Sequence, residues 1–211
     1  MRTTLLLATS NKGKAREYLA LLGETLANWS MKLVLLADYL AEKGEDLAEP
    51  EENGSTFAAN AEIKARGYAD QTGQVVLADD SGLCVSALEG RPGTLSARYG
   101  GAELSDLAKC EKLLEEMQGR TDRRAFFETA IVLAKGDGGR VLTYNGRLWG
   151  ELTQTLAGEG GFGYDPLFRP LGSDRTLAEM DAYEKNKISH RRQAIASLLA
   201  DRENVEAWLK S

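Results

Sequence analysis

The chain has 211 residues, 43% hydrophobic and 27% charged, with a formal net charge of −6. This is a globular composition, long enough to bury a sizeable core without staples. The acidic balance argues against a nucleic-acid or membrane-surface partner, because such binders rely on an excess of Lys and Arg. Two cysteines, Cys84 and Cys110, and one histidine, His190, exclude a disulfide framework and a Cys/His zinc site. A reducing, cytoplasmic setting is expected: the apolar run Leu5 to Ala8 is too short for a signal-peptide core. No stretch approaches the roughly 18 apolar residues of a membrane span.

In chain order, Leu5-Leu6-Leu7-Ala8 is a continuous apolar run, as expected of a strand buried on both faces. A polar loop leads to a helix with Ala15, Tyr18, Leu19 and Leu22 on one face, and Leu33 to Leu36 reads as a second strand. The acidic stretch from Glu42 to Ser55 holds Pro50 and Asn53-Gly54 and reads as an exposed loop. A helix over about 56–70 presents Phe57, Ala61, Lys64/Ala65 and Tyr68. Val75 to Ala78 is a buried strand ending in a turn at Asp79-Asp80-Ser81-Gly82, with Leu83 to Leu88 as its hairpin partner. Ser105 to Gln118 is an amphipathic helix with the stripe Leu107, Cys110, Leu114, Met117. Strands follow over Phe126–Ala134 and Arg140–Leu148, then a glycine-rich loop from Gly158 to Gly163 and a short strand at Leu167-Phe168. Thr176 to Glu179 has capping-box spacing. One last helix is expected from about Ser189 to Lys210, burying Ile195, Leu198, Leu199, Val205, Trp208 and Leu209. Alternating strands and helices with a central hairpin indicate an α/β protein with a mixed sheet.

Five segments carry chemistry. Thr9-Ser10-Asn11-Lys12-Gly13-Lys14 joins a strand to a helix, where free amides and the helix dipole favour an anion. It is not a Walker A loop, since the first glycine is missing and Ala15 stands where Ser or Thr would bind magnesium. The plainer reading is a capped helix start with solvated lysines. Asp79 and Asp80 end a buried strand at the carboxyl edge of the sheet. Their side chains point to opposite faces, so one is expected to face a ligand and the other to support the turn. Glu51-Glu52 could add a carboxylate to Asp80 around a hard cation, which takes one or two protein carboxylates with water and phosphate. Asn60 sits near the buried stripe of its helix, so its amide needs partners in a loop or a ligand.

Gly158, Gly160 and Gly163 match G-x-G-x-x-G, but Asp165-Pro166 forces extended backbone where a dinucleotide fingerprint would open a helix. The segment reads instead as a loop presenting Phe162 to a base. Lys185 to Arg192 combines several cations with His190 at a helix start. Cations there oppose the macrodipole, so something anionic or base-like is expected nearby.

Together these segments resemble the inosine triphosphate pyrophosphatase family. The resemblance rests on A-T-S-N-K-G-K at Ala8–Lys14, N-A-x-x-K-A at Asn60–Ala65, L-A-D-D-S-G-L at Leu77–Leu83 and G-R-P-G-x-x-S-A-R-Y at Gly90–Tyr99. G-G-F-G-Y-D-P-L-F at Gly160–Phe168 and S-H-R at Ser189–Arg191 complete it. It implies one domain over residues 1–211, an α/β fold with an elongated mixed β-sheet flanked by helices, two lobes with a central cleft, and a homodimer. It implies hydrolysis of ITP, dITP and XTP to a monophosphate and pyrophosphate, with Mg2+. Thr9, Ser10, Asn11, Lys12, Gly13 and Lys14 would bind the triphosphate. Asp80 would be the general base and, with Glu52 or Glu51, the metal site. Ser81 would touch substrate, and Phe162, Gly163, Tyr164 and Asp165 would hold the base. Lys185, His190 and Arg191 would complete base recognition, with Arg191 and a nearby Lys185 facing the 6-keto group. Ala59 stands where the bacterial pattern has Glu, which places more weight on Glu51 and Glu52. A Maf-like pyrophosphatase is disfavoured by the Phe162 loop and Ser189-His190-Arg191. A non-catalytic nucleotide sensor is disfavoured by Asp80 and Glu52, carboxylates that a metal-free polyphosphate binder would not keep.

Overall fold

The computed structural model describes residues 3–27, 29, 31–44, 46–101 and 103–211. The chain opens with β1 (Thr3–Ala8), α1 (Lys12–Ala27), β2 (Met31–Leu35), α2 (Leu36–Lys43), α3 (Phe57–Thr72) and β3 (Val75–Val85). It continues with α4 (Asp106–Glu116), β4 (Arg124–Ala134), β5 (Leu142–Leu152), β6 (Phe168–Pro170), α5 (Ala182–Ile188), α6 (His190–Ala200) and α7 (Arg202–Lys210). The strands form a six-stranded mixed sheet in the order β2-β1-β3-β4-β5-β6, flanked by helices. β1 pairs parallel with β2 (Leu5↔Leu33) and with β3 (Leu7↔Leu77), whereas β5 and β6 are antiparallel (Gly150↔Pro170). Leu5 to Ala8 are buried, as a strand paired on both edges and covered on both faces requires.

Two compact units are distinguished: Met1–Asp80 with Thr129–Gly146 and Arg191–Ser211, and Ser81–Glu128 with Arg147–His190. The first has a core of Leu5, Leu7, Tyr18, Leu22, Leu77 and Ile195, and α7 adds Val205 and Trp208. The Trp208 indole donates to Arg140 O at 2.6 Å and the Lys135 ammonium donates to Trp208 O at 3.0 Å, which fastens α7. The second unit packs Leu83, Val85, Leu113, Met117, Phe127 and Phe168 together. Both cysteines are buried. Burial pushes the Cys84 thiol up to about 11 and the Cys110 thiol up to about 12.

Several elements differ from the sequence expectation. The segment Asp79 to Gly82 is no turn, and Leu83–Leu88 is no hairpin partner: β3 runs on for eleven residues to Val85. Gly82 serves close approach instead, since a Cβ there would lie 2.4 Å from both Gly93 O and Ser96 Oγ. Ser96 Oγ accepts from Leu83 N at 2.9 Å and so holds the continuing strand. The expected second strand ends at Leu35, and α2 follows at once, closed by Gly44 in the left-handed region. The single last helix is broken at Asp201 into α6 and α7. Before it, α5 is a separate helix with a reciprocal Asp181–Glu184 capping box. Leu19 and Leu107, expected on apolar stripes, are 40% and 56% exposed.

Candidate active site

In the first unit, Thr9-Ser10-Asn11 link β1 to α1. Asn11 Oδ1 accepts from Gly13 N at 2.9 Å and Lys14 N at 3.0 Å, so the helix's first amides are capped rather than free as expected. What this end offers an anion is its dipole, the exposed Lys12, and Lys14. Lys14 Nζ lies 2.9 Å from Asp79 Oδ2. Asp79 is 1% exposed, and the Nε of Arg191 on α6 lies 3.9 Å from the same oxygen. Arg191 Nη1 in turn donates to Glu17 Oε2 at 2.8 Å, so α1, β3 and α6 meet in one buried ionic group. Burial works to raise the Asp79 carboxyl, but Lys14, Arg191 and Lys64 outweigh it and hold it below the usual carboxylate range.

Asp80, on the opposite face of β3, is half-buried. Its Oδ2 accepts from Asn60 Nδ2 at 2.9 Å, while Asn60 Oδ1 accepts from Gly54 N at 2.8 Å. Asn60 thus joins the acidic loop to Asp80, the role its buried amide called for. Lys64, one turn further along α3, pairs with Glu52 Oε1 at 2.8 Å and donates to Asp79 O at 3.2 Å. Glu51 is exposed. Burial raises the Asp80 carboxyl, and the Asn60 bond and nearby lysines only partly offset it.

In the second unit, Asp165 organises the glycine loop. Its Oδ2 accepts from Phe162 N at 2.8 Å and from Lys185 Nζ at 2.5 Å. The Lys185 ammonium also lies 4.3 Å from the Phe162 ring centroid, a cation–π contact. Gly161 is at φ 74° and a Cβ there would come within 2.0 Å of Asp165 Oδ2, so only glycine fits. Gly163 N donates to Asp106 Oδ2 at 2.6 Å, and the Cys110 thiol donates to Gly163 O at 3.4 Å. Tyr164 is buried, its hydroxyl donating to Ser96 O at 3.0 Å. The His190 ring stacks on Phe127, centroids 5.0 Å apart and 11° from parallel. Ser81 is half-buried.

The expected basic helix start resolves into two situations. Lys185 and Lys187 lie in the last turn of α5, where the dipole favours cations, and Arg191 is offset by Glu17 and Asp79. Arg191 pairs with Glu17, and Lys185 pairs with Asp165.

A Ham1 family model matches residues 5–201. The chain belongs to the Ham1 family. Among curated Ham1 relatives, a dITP/XTP pyrophosphatase of Bacillus licheniformis is 42% identical over 198 residues, covering 93% of this chain and 96% of that protein. A dITP/XTP pyrophosphatase of Deinococcus radiodurans is 44% identical over 196 residues, covering 93% and 91%. Among solved structures, a HAM1 protein from Coxiella burnetii superposes with a TM-score of 0.83 at 38% identity, covering 94% of this chain and 97% of that one. The Staphylococcus aureus Ham1 protein gives 0.81 at 36% identity, covering 96% and 99%.

Magnesium can be tested against the donors this Ham1 chain presents. Among the described residues, no group of three or more His, Cys, Asp or Glu gathers to hold an ion alone. Magnesium does not need one, because it takes one or two carboxylates and completes its shell with water and substrate phosphates. The non-exposed charges of the first group are four carboxylates (Glu17, Glu52, Asp79, Asp80) against three cations (Lys14, Lys64, Arg191). An excess of hard anionic oxygen suits a divalent cation. Sequence reasoning gave Lys64 no role, although it lies in a helical stripe and in the N-A-x-x-K-A motif. Its signal was the charge itself at a position of α3 facing Asp79 and Glu52. Glu17 was missed as well, and nothing local marks it.

Proposed function

We propose that this Ham1-family chain hydrolyses the non-canonical purine nucleoside triphosphates ITP, dITP and XTP to the monophosphate and pyrophosphate. One observation carries the reading: an acid–cation group gathers around Asp79 and Asp80 in a chain more than 40% identical, over nearly its full length, to several dITP/XTP pyrophosphatases. That hard acidic group, in a chain so close to enzymes, favours catalysis over a sensor, and the Phe162 loop favours a purine over a Maf-like substrate range.

In this proposal Lys12 and Lys14, at the positive end of α1, hold the phosphates with Thr9, Ser10, Asn11 and Gly13, and stabilise charge on the departing pyrophosphate. Asp80 orients the water that attacks the α-phosphorus and accepts its proton, a role for which a carboxyl raised by burial is suited. Asn60 fixes the Asp80 carboxylate, and Lys64 fixes Glu52. A magnesium ion held by Asp80 with Glu52 would supply neutralisation of phosphate charge. Glu52, drawn in by Lys64, is assigned ahead of the exposed Glu51. Phe162 stacks on the base, Gly163 and Asp165 shape its loop, and Ser81 touches substrate. Lys185, His190 and Arg191 recognise the base. Lysine and arginine offer donors only, so they match a 6-keto acceptor and confront the 6-amino group of adenine.

We further assign residues 1–211 to one functional domain, acting in the cytoplasm as a homodimer on free nucleotides. Exposed Trp149, in ring contact with the half-buried Phe126, and Leu171, 84% exposed, support self-association. Pyrophosphate release, coupled to inorganic pyrophosphatase, tests the activity. ITP, dITP and XTP are expected to turn over with Mg2+, to stop with EDTA, and to exceed GTP and ATP in kcat/KM. Equal turnover of ATP and ITP would overturn the substrate assignment.

A further inference from the structure

The loop from Ala48 to Gly54 is laid along α3 in register. Gly54 N meets Asn60 Oδ1, Glu52 meets Lys64, Pro50 rests on Gly67, and Ala48 meets Gln71. The helix positions 60, 64, 67 and 71 follow the spacing of one helical face. The loop positions 54, 52, 50 and 48 are every second residue. Along the helix the span is about 16 Å at 1.5 Å per residue. Extended backbone from 48 to 54 covers about 20 Å, and the bond from Asn53 N to Glu51 O, 3.1 Å, takes up slack beside Glu52.

The far end of this strap is held by a two-way contact. Gln71 Nε2 donates to Ala48 O at 3.0 Å, and Ala48 N donates to Gln71 Oε1 at 3.0 Å. Gln71 Nε2 also donates to Gly67 O at 2.9 Å, which fixes the amide plane. A Cβ on Gly67 would lie 2.5 Å from Pro50 Cγ, so the absence of a side chain there sets how close the strap lies.

We infer that Gln71 is a positioning residue for the Glu52 carboxylate: it anchors the strap that carries Glu52 and so sets how tightly a divalent cation is held. This deepens the proposed function and rests on it for the role of Glu52. Gln71 acts on Glu52 only through the backbone from Ala48 to Glu52. Gly67 provides an independent handle on the same strap, because alanine there favours the helix while pushing Pro50 away.

The test uses Gln71→Ala and Gly67→Ala in the full chain, with Arg66→Ala as control. Arg66 lies on α3 but bonds Glu62 and Gly139 O. Mn2+ binding to nucleotide-free protein is followed by electron paramagnetic resonance, and amide exchange at Gly54 by NMR. Supporting residues of metal ligands affect affinity by about 10–100-fold, so Mn2+ affinity is expected to fall about tenfold in both variants. Gly54 should exchange faster although its own partner, Asn60, is untouched. With ITP, the Mg2+ concentration for half-maximal pyrophosphate release should rise by a similar factor, with kcat at saturating Mg2+ changed by less than about twofold. Unchanged Mn2+ affinity in both variants overturns the assignment, whatever the exchange shows. If the parent chain releases no pyrophosphate from ITP, the proposed function fails, and Mn2+ affinity still decides for or against Gln71.

Discussion

Asp79 in the first unit and Asp165 in the second are both buried carboxylates joined to a lysine, yet they are built for different work. Asp79 has Lys14 at 2.9 Å and Arg191 at 3.9 Å, with Lys64 on its carbonyl, so charges from three helices converge on one strand residue. Asp165 meets Lys185 and spends the same oxygen on the amide of Phe162. The first acid sets an electrostatic field where phosphates are proposed to lie. The second sets the shape of a loop and the position of an aromatic ring. A buried acid–lysine pair is therefore not a functional signature by itself, and its remaining partners decide what it does.

The comparison can be broken most severely at Asp80. Asp80→Asn keeps an oxygen that can accept from Asn60, so the fold should persist while kcat falls by roughly 10²–10⁴-fold, the usual worth of a general base. Near-normal turnover in a folded variant would remove Asp80 from the chemistry.

Next in size is stability. Removing one partner of a buried ion pair costs about 3–5 kcal/mol. Asp79→Asn should reach that range, because it removes the buried charge that faces both Lys14 and Arg191 and leaves Arg191, which cannot shed its proton, with Glu17 as its remaining carboxylate. Asp165→Asn should cost less, because the amide oxygen can still accept from Phe162 N and Lys185 keeps its contact with the Phe162 ring. Urea denaturation of both variants measures the difference, and an equal loss would erase the distinction between field and shape. The pH dependence has a definite sign. The folded Asp79 carboxyl lies below its unfolded value, so its contribution is complete above the unfolded pKa of about 3.9 and is lost as pH falls through the lower folded value. The gap between the parent chain and Asp79→Asn should narrow in that acid window.

The smallest effects separate the two ends of the substrate. Lys12→Ala should weaken ITP and inorganic tripolyphosphate alike, since a phosphate contact carries no base information. Phe162→Ala should weaken ITP by about 1–3 kcal/mol, the range for base stacking, and leave tripolyphosphate unchanged. Competition by tripolyphosphate against ITP turnover reads both, and a Phe162 effect on tripolyphosphate would move that ring to the phosphate end.

The central strands were legible because continuous apolar runs such as Leu5 to Ala8 and Val75 to Ala78 state their burial directly. Asp79-Asp80-Ser81-Gly82 was misread because its composition encodes a turn locally. Its strand conformation depends on remote partners: Lys14 and Arg191 for Asp79, Asn60 for Asp80, and the close approach of Ser96 at Gly82. The importance of Asn60 was visible, since a polar residue near a buried stripe demands a partner. The Glu17–Arg191 pair joins residues 174 apart, and no local pattern announces it. The break between α6 and α7 at Asp201 was hidden by an unbroken run of helix-compatible residues from Leu198 to Glu203.

Cys84 and Cys110 are the chain's only cysteines, and burial holds their thiols at about 11 and about 12. Only the thiolate reacts with maleimides and iodoacetamides. At pH 8 roughly one part in 1,000 or less of either is ionised, before steric shielding is counted. The native sequence is thus already a silent background for thiol labelling. A single cysteine placed at an exposed position such as Tyr183, 70% exposed, would take a fluorophore or spin label there, without the usual removal of native cysteines.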